Sequence, residues 1–282
     1  MKKSIFLIAV SVLFLIQYSI AQEKSQPESG KSVIRVLLTP ETSHLAMQWA
    51  KEYSGVNPAM NLQLVPAGQY EFNEEIMAGN CMGLMNDRDL VALQNGQLWK
   101  LPVAREIIVP VMNSGNPLAE TIIDKGLSPE SLANMLRNPA ANDWGTVLGQ
   151  SAGTPVHIYS IKDVNYDNEL SAFLGSTEFS KQQVQLENSW ELIAKLQNNP
   201  NALAFCKLTD LMKPGETKLP ENIILLPIDR NANGKMEYFE QIYENPLDFY
   251  RGVWIGKYPR ELISEVYAVC SVLPETPKCG RF

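Results

Sequence analysis

Histidine is scarce in this 282-residue chain, which has only His44 and His157 beside four cysteines, Cys81, Cys206, Cys270 and Cys279. None of them stand at the short spacings of a zinc site, so the sequence offers no metal catalysis of that kind. A basic run with interleaved aromatics is missing too. The formal charge is −7 and becomes −9 when Lys2 and Lys3 leave with the leader described below. An acidic chain repels phosphate backbones, which argues against a nucleic-acid partner. No apolar run reaches the roughly 20 residues that a membrane span requires, and there is no internal repeat or low-complexity tract.

What is present at the start is an address. Met1-Lys2-Lys3, the apolar run from Ile5 to Ile16 and the small-x-small site ending at Ala21 have the three parts of a secretory signal peptide. Cleavage after Ala21 is expected, giving a periplasmic or secreted protein with no stable membrane insertion after cleavage. A membrane anchor is the competing reading, but no cysteine follows the site to carry a lipid and no stop-transfer pattern appears. Residues 22–31 are polar, with Pro27 and Gly30, and read as a flexible leader. In an exported protein four cysteines allow three disulfide pairings. Cys270 with Cys279 is preferred, because they are close in sequence and Pro274 and Pro277 bend the chain between them. Cys81 and Cys206 sit among apolar residues and read as buried free thiols.

The mature part opens with a strand at Val33–Leu38, then the hydroxyl-rich turn Thr39-Pro40-Glu41-Thr42-Ser43. Leu45, Trp49 and Tyr53 follow at helical spacing, and a second strand covers Asn61–Pro66. Further strands read at 106–112, 155–160, 202–206 and 223–228, and helices at 128–136 and 189–196. Pro129 falls at a first helical position, where its missing N–H costs nothing. Strand, helix, strand alternation predicts an α/β fold whose mixed sheets are mostly parallel and flanked by helices.

This order of pieces resembles the phosphate-type substrate-binding proteins of ABC transporters, with the two-lobed type II periplasmic binding fold. The likeness covers nearly all of the mature chain. It rests on the opening at Val33–Tyr53 and on Cys81-Met82-Gly83-Leu84-Met85-Asn86-Asp87-Arg88-Asp89-Leu90, similar to the family's cleft-lining segment. It continues in Ile108–Asn113 with Asn116-Pro117-Leu118, in Ser128–Leu136 with Asp143-Trp144-Gly145, and in the later elements from Val156 to Leu208. The resemblance implies a first lobe of residues 32–109 plus 221–282 and a second of residues 110–220. It also implies a small polar solute or anion held in an interlobe cleft, an ABC permease as partner, and a monomer. Ligand-binding candidates are Thr39, Thr42, Ser43, Asn86, Asp87 and Arg88 from the first lobe and Asp163 and Asn165 from the second. Each also reads as a helix cap or turn residue. One departure bears on the ligand. The family's phosphate binders have a gly-ser-gly-thr loop where this chain has Asp163-Val164-Asn165-Tyr166-Asp167-Asn168, so anionic side chains replace the N–H cradle that suits phosphate. A cation, a polyol or an amide-bearing solute fits better.

The sharpest local motif is Asp229-Arg230-Asn231-Ala232-Asn233-Gly234, then five residues, then Glu240, which satisfies the EF-hand loop pattern. Asp229, Asn231 and Asn233 would supply side-chain oxygens to Ca²⁺, Lys235 a backbone carbonyl and Glu240 a bidentate carboxylate. A strand precedes the loop, so a structural calcium site is expected, with no sensor switch. The plain alternative is a tight Asn233-Gly234 turn.

Gly149-Gln150-Ser151-Ala152-Gly153 matches the short pattern of a serine hydrolase elbow, which makes an enzyme using Ser151 the minor alternative. His157 follows with no acid between, so the usual serine, acid, histidine order cannot be built, and no enzyme is expected. A cell-envelope interaction protein that keeps the binding fold without a transported solute is the third class.

Overall fold

A computed structural model describes residues 32–58, 60–66, 68–79, 81–92, 98–138, 142–151, 153–162, 164–175, 183–212 and 216–271. Residues 1–31, where a signal peptide and a leader are expected, and Cys279 lie outside them. The chain forms two compact units. Unit 1 runs to Pro102 and resumes at Tyr267, and unit 2 is Val103–Val266.

In unit 1, β1 (Ser32–Leu38), α1 (Ser43–Val56) and β2 (Met60–Pro66) form a strand-helix-strand unit. The two strands are parallel, with Val36 opposite Leu64. After α2 (Gln69–Met77), β3 (Met82–Asn86) adds to the other side of β1, also parallel, with Leu38 opposite Leu84. The order is β2-β1-β3-β9, where β9 is Ile263–Cys270. Val36, Leu37 and Leu38 are all buried, as in a parallel strand covered on both faces, whereas edge strand β2 is nowhere fully buried. Leu37, Phe72, Ile76, Met85 and Val269 make the core. Phe72 presses on β3 where there is no side chain, since a Cβ on Gly83 would lie 2.3 Å from its ring. A short helix, α3 (Asp87–Ala92), follows β3.

Unit 2 is built on the long strand β4 (Trp99–Asn113), which enters it at Val103. Helices α4 (Ala119–Lys125), α5 (Pro129–Arg137) and α6 (Trp144–Val147) lead to β5 (His157–Ile161) and α7 (Val164–Leu174). They are followed by β6 (Val184–Leu186), α8 (Ser189–Asn198), β7 (Ala202–Lys207), α9 (Leu208–Leu211) and β8 (Ile223–Leu225). α10 (Pro246–Trp254) is the last helix. β4 runs antiparallel to β7 on one side and to β8 on the other, while β5 is parallel to β7 and to β6. As read from the sequence, α5 has Pro129 in its first turn, and its cap Ser128 accepts the N–H of Ser131. Asn113, which ends β4, and Asn116, just before Pro117, are buried. Asn113 donates to the Leu196 and Gln197 carbonyls at the end of α8, and Asn116 to the Pro200 carbonyl.

The expected lobe boundaries differ from this division. Residues 221–266, expected in the first lobe, belong to unit 2, because β8 is bonded to β4 and Leu226, Ile228, Phe249, Val253 and Leu262 enter the same core as Val109 and Met112. The buried Tyr258 hydroxyl closes this packing by donating to the Ile108 carbonyl at 2.7 Å. The late strand expected at 223–228 stops at Leu225, and Ile228 makes one isolated parallel bridge to Leu127. Among the described residues no helix is long and apolar enough to cross a membrane.

Candidate functional site

Because β1 and β3 are adjacent and parallel, the turns that follow them emerge side by side at the carboxyl ends of the strands, where open α/β sheets place ligand groups. The first turn holds Thr39, Thr42 and Ser43, and the second Asn86, Asp87 and Arg88. The backbone joins them, Thr39 N–H donating to the Leu84 carbonyl at 3.4 Å. The structure thus brings together six of the candidates read from the sequence. Their roles separate. The buried Thr42 hydroxyl lies 3.0 Å from the Leu84 carbonyl and 3.2 Å from the Thr39 carbonyl, so it fastens one turn to the other. Ser43 donates to the Thr39 carbonyl at 3.0 Å. Buried Asn86 accepts the N–H of Asp89 at 2.8 Å and so caps α3. Asp87 and Arg88 are half-exposed on the first turn of α3. Asp163 lies outside the described residues. Asn165 falls in the first turn of α7, so a helix begins where the glycine-rich loop of phosphate binders was sought.

The loop after Ile228 forms a second polar centre. Asp229 and Glu240 are 2 % and 1 % exposed. Asp229 accepts the N–H of Gly234 at 2.7 Å and of Asn233 at 3.3 Å. Glu240 accepts from Arg230 at 2.8 Å, Asn231 at 3.4 Å and Glu237 at 3.2 Å. The amide oxygens of Asn231 and Asn233 accept the N–H two residues on, at 3.1 Å each, as in Asx turns. Gly234 has φ of +80°, the conformation that its position in the motif needs. The loop residues read from sequence are therefore gathered in one turn. Among the described residues no group of three or more His, Cys, Asp or Glu side chains could hold a metal, so a cation here would also need the amide and carbonyl oxygens.

Ser151 is not at a nucleophile elbow. It follows α6 and a turn, and among the described residues no strand leads into it and no helix leads away from it. The Asp143 carboxylate fastens this segment by accepting N–H groups from Thr146, Gly153 and Thr154, which hold its pKa below the ordinary aspartate value. Cys206 is a buried free thiol, as expected, with its pKa raised by burial, and Cys81 is a half-buried free thiol.

No protein-family model matches the sequence, and no curated protein does. Solved structures do match. An ABC-type phosphate transport receptor from Vibrio cholerae aligns with a TM-score of 0.59 at 10% identity, over 88% of this chain and 90% of that one. The chain shares this fold. A putative phosphate ABC transporter substrate-binding protein from Clostridium perfringens, solved with bound phosphate, gives 0.53 at 14% identity over 88% and 90% of the chains. PstS from Borrelia burgdorferi gives 0.54 at 11% identity over 86% and 87%. The type II periplasmic-binding architecture read from the order of elements is the observed one.

Proposed function

We propose that this chain is an exported, monomeric, non-enzymatic solute-binding protein that takes up a small polar ligand for an ABC-type transport system. The observation that carries the reading is the pairing of the 39–43 and 86–88 turns at the carboxyl ends of parallel β1 and β3, in a fold shared with phosphate receptors. Asp87 and Arg88 are the groups that meet the solute, and Asp163 and Asn165 are the candidates from unit 2. A solute stabilises the form that it binds by its differential affinity. The test is a thermal-shift screen of the chain from Gln22 with phosphate, sulfate, divalent cations, sugars and amino acids. At least one solute should raise the melting temperature, and alanine at Asp87 or Asp163 should remove that shift. No shift from any solute would sink the reading and favour an envelope protein that uses the fold as an interaction scaffold.

The 229–240 loop supports a second assignment, a structural Ca²⁺ bound by Asp229, Asn231, Asn233, the Lys235 carbonyl and Glu240. Burial of both carboxylates in a loop that already turns as the motif requires favours it. Calorimetric titration with Ca²⁺ tests it. Binding should appear in the parent chain and vanish in Glu240→Gln, and absence of heat in the parent ends the assignment.

A further inference from the structure

Asn233 is followed by Gly234, so its side-chain amide stands next to a backbone nitrogen that no Cβ shields. Both residues are exposed, and among the described residues nothing lies within 4 Å of where a Cβ on Gly234 would be. The fold places two further groups around this pair. The Gly234 N–H donates to one oxygen of the buried Asp229 carboxylate at 2.7 Å, within the reach from which a base takes a proton. The Lys235 N–H donates to the Asn233 amide oxygen at 3.1 Å, where negative charge develops when the amide carbon is attacked. No hydrogen bond holds the Asn233 amide nitrogen among the described residues, so it is free to depart.

Asn231 is the internal comparison. Its amide oxygen accepts from Asn233 N–H at 3.1 Å in the same kind of turn. The nitrogen that would attack it belongs to Ala232, which carries a Cβ, and its N–H donates at 3.4 Å to the Asp229 backbone carbonyl, not to a carboxylate. The Asn231 amide nitrogen is also held, donating to Glu237 at 3.1 Å.

We propose that Asn233 is a site of self-modification, closing on Gly234 to a succinimide that opens to aspartate and isoaspartate. Asp229 takes the proton of the Gly234 N–H as that nitrogen bonds to Asn233 Cγ, and the carbonyl electron pair moves onto Oδ1, which the Lys235 N–H stabilises. The oxygen then re-forms its double bond and the bond from Cγ to the amide nitrogen breaks. The departing nitrogen takes a proton from water and leaves as ammonia, and Asp229 returns its proton to water. Water next adds to either carbonyl of the ring, so the balance is a water consumed and an ammonia released. Holding base, nucleophile and oxygen donor in one turn removes the search that an open chain must make. Each event puts a new carboxylate on an exposed loop, and the isoaspartate product also inserts a methylene into the backbone. This inference is independent of the solute reading and of the Ca²⁺ assignment.

The experiment is incubation of the chain from Gln22, which keeps every described residue, at neutral pH in chelator, in buffer and in urea. Peptide mapping by mass scores the exchange of NH for O at each asparagine, and chromatography separates the aspartate and isoaspartate forms. In urea the pairs Asn95-Gly96 and Asn233-Gly234 should convert alike, since they have the same local chemistry. In buffer Asn233 should convert about tenfold or more faster than in urea, while Asn231 stays intact. Asp229→Asn should bring the rate at Asn233 in buffer down to the urea rate. Conversion of Asn233 in buffer no faster than in urea overturns the proposal, as does an undiminished rate in folded Asp229→Asn. If that variant does not fold, the parent chain decides, through its rates in buffer and urea and through Asn231.

Discussion

Glu240 accepts the backbone N–H of Arg230 at 2.8 Å, so the last residue of the 229–240 loop is tied to the neighbour of its first. Glu240 is expected to matter for stability twice, once through the N–H groups of Arg230, Asn231 and Glu237 and once through the proposed Ca²⁺.

The two contributions separate in a melting experiment. Saturating Ca²⁺ at about 100 times its dissociation constant adds about 2.7 kcal/mol, or roughly 5 to 10 °C for a chain of this size. Glu240→Gln keeps an oxygen for the N–H groups but loses the charge. It should melt slightly below the parent in chelator and show no rise with Ca²⁺; a full rise in the variant would assign the ion elsewhere.

Thr42→Val tests the fastening of the two turns in unit 1. Valine keeps the shape and removes the hydroxyl that lies 3.0 Å from the Leu84 carbonyl in a buried setting. The loss should be about 1 to 2 kcal/mol by urea unfolding. If Thr42 contacts the solute as well, the variant also loses the solute-induced shift. If its hydroxyl only joins the turns, the shift survives at a lower melting temperature.

How far the sequence reaches is visible in these same residues. The strand, hydroxyl turn and helix at 33–53 were legible because a buried parallel strand is continuously apolar and the helix has one apolar stripe. The turns of the 229–240 loop were legible because Asn231, Asn233 and Gly234 stand at the offsets that Asx turns and a left-handed glycine require. Thr42 was not separable from Ser43, since composition does not tell which hydroxyl turns inward to a carbonyl 42 positions away. That Ile223–Leu225 joins unit 2 was not legible, because the pairing of β8 with Val111–Asn113 of β4 is a long-range contact with no local mark.

Asp143 makes a pH prediction. Its folded pKa is held below the ordinary value by N–H groups of Gly153, Thr146 and Thr154. A carboxylate with a depressed folded pKa contributes stability that is present above its unfolded pKa and is lost as pH falls through the folded one. Asp143→Asn should therefore melt below the parent at neutral pH, with the gap closing as pH drops below the aspartate range. The carboxylate is largely solvated, so the effect is small; a gap independent of pH would mean that shape, not charge, holds this segment.

Gly126 ends α4 with φ of +66°, and a Cβ there would lie 2.5 Å from Met236 Sδ and 2.9 Å from the Asp229 backbone nitrogen. The same region is bonded to the loop, since Met236 N–H donates to the Asp124 carbonyl and Asp229 N–H to the Leu127 carbonyl. Gly126→Ala therefore combines a backbone conformation open essentially to glycine alone, φ +66° with ψ 174°, with a collision against the base of the 229–240 loop. Gly149→Ala is the control, with φ of +71° and nothing within 4 Å of its Cβ. The control should lose about 1 kcal/mol from backbone strain, and Gly126→Ala a further 1 to 3 kcal/mol or more, from overpacking and from its glycine-only backbone. Because the displaced atoms include Asp229, Gly126→Ala should also weaken Ca²⁺ binding while Gly149→Ala leaves it unchanged. Equal losses in the two variants, with equal Ca²⁺ titrations, would show that Met236 swings aside and that the loop does not depend on the end of α4.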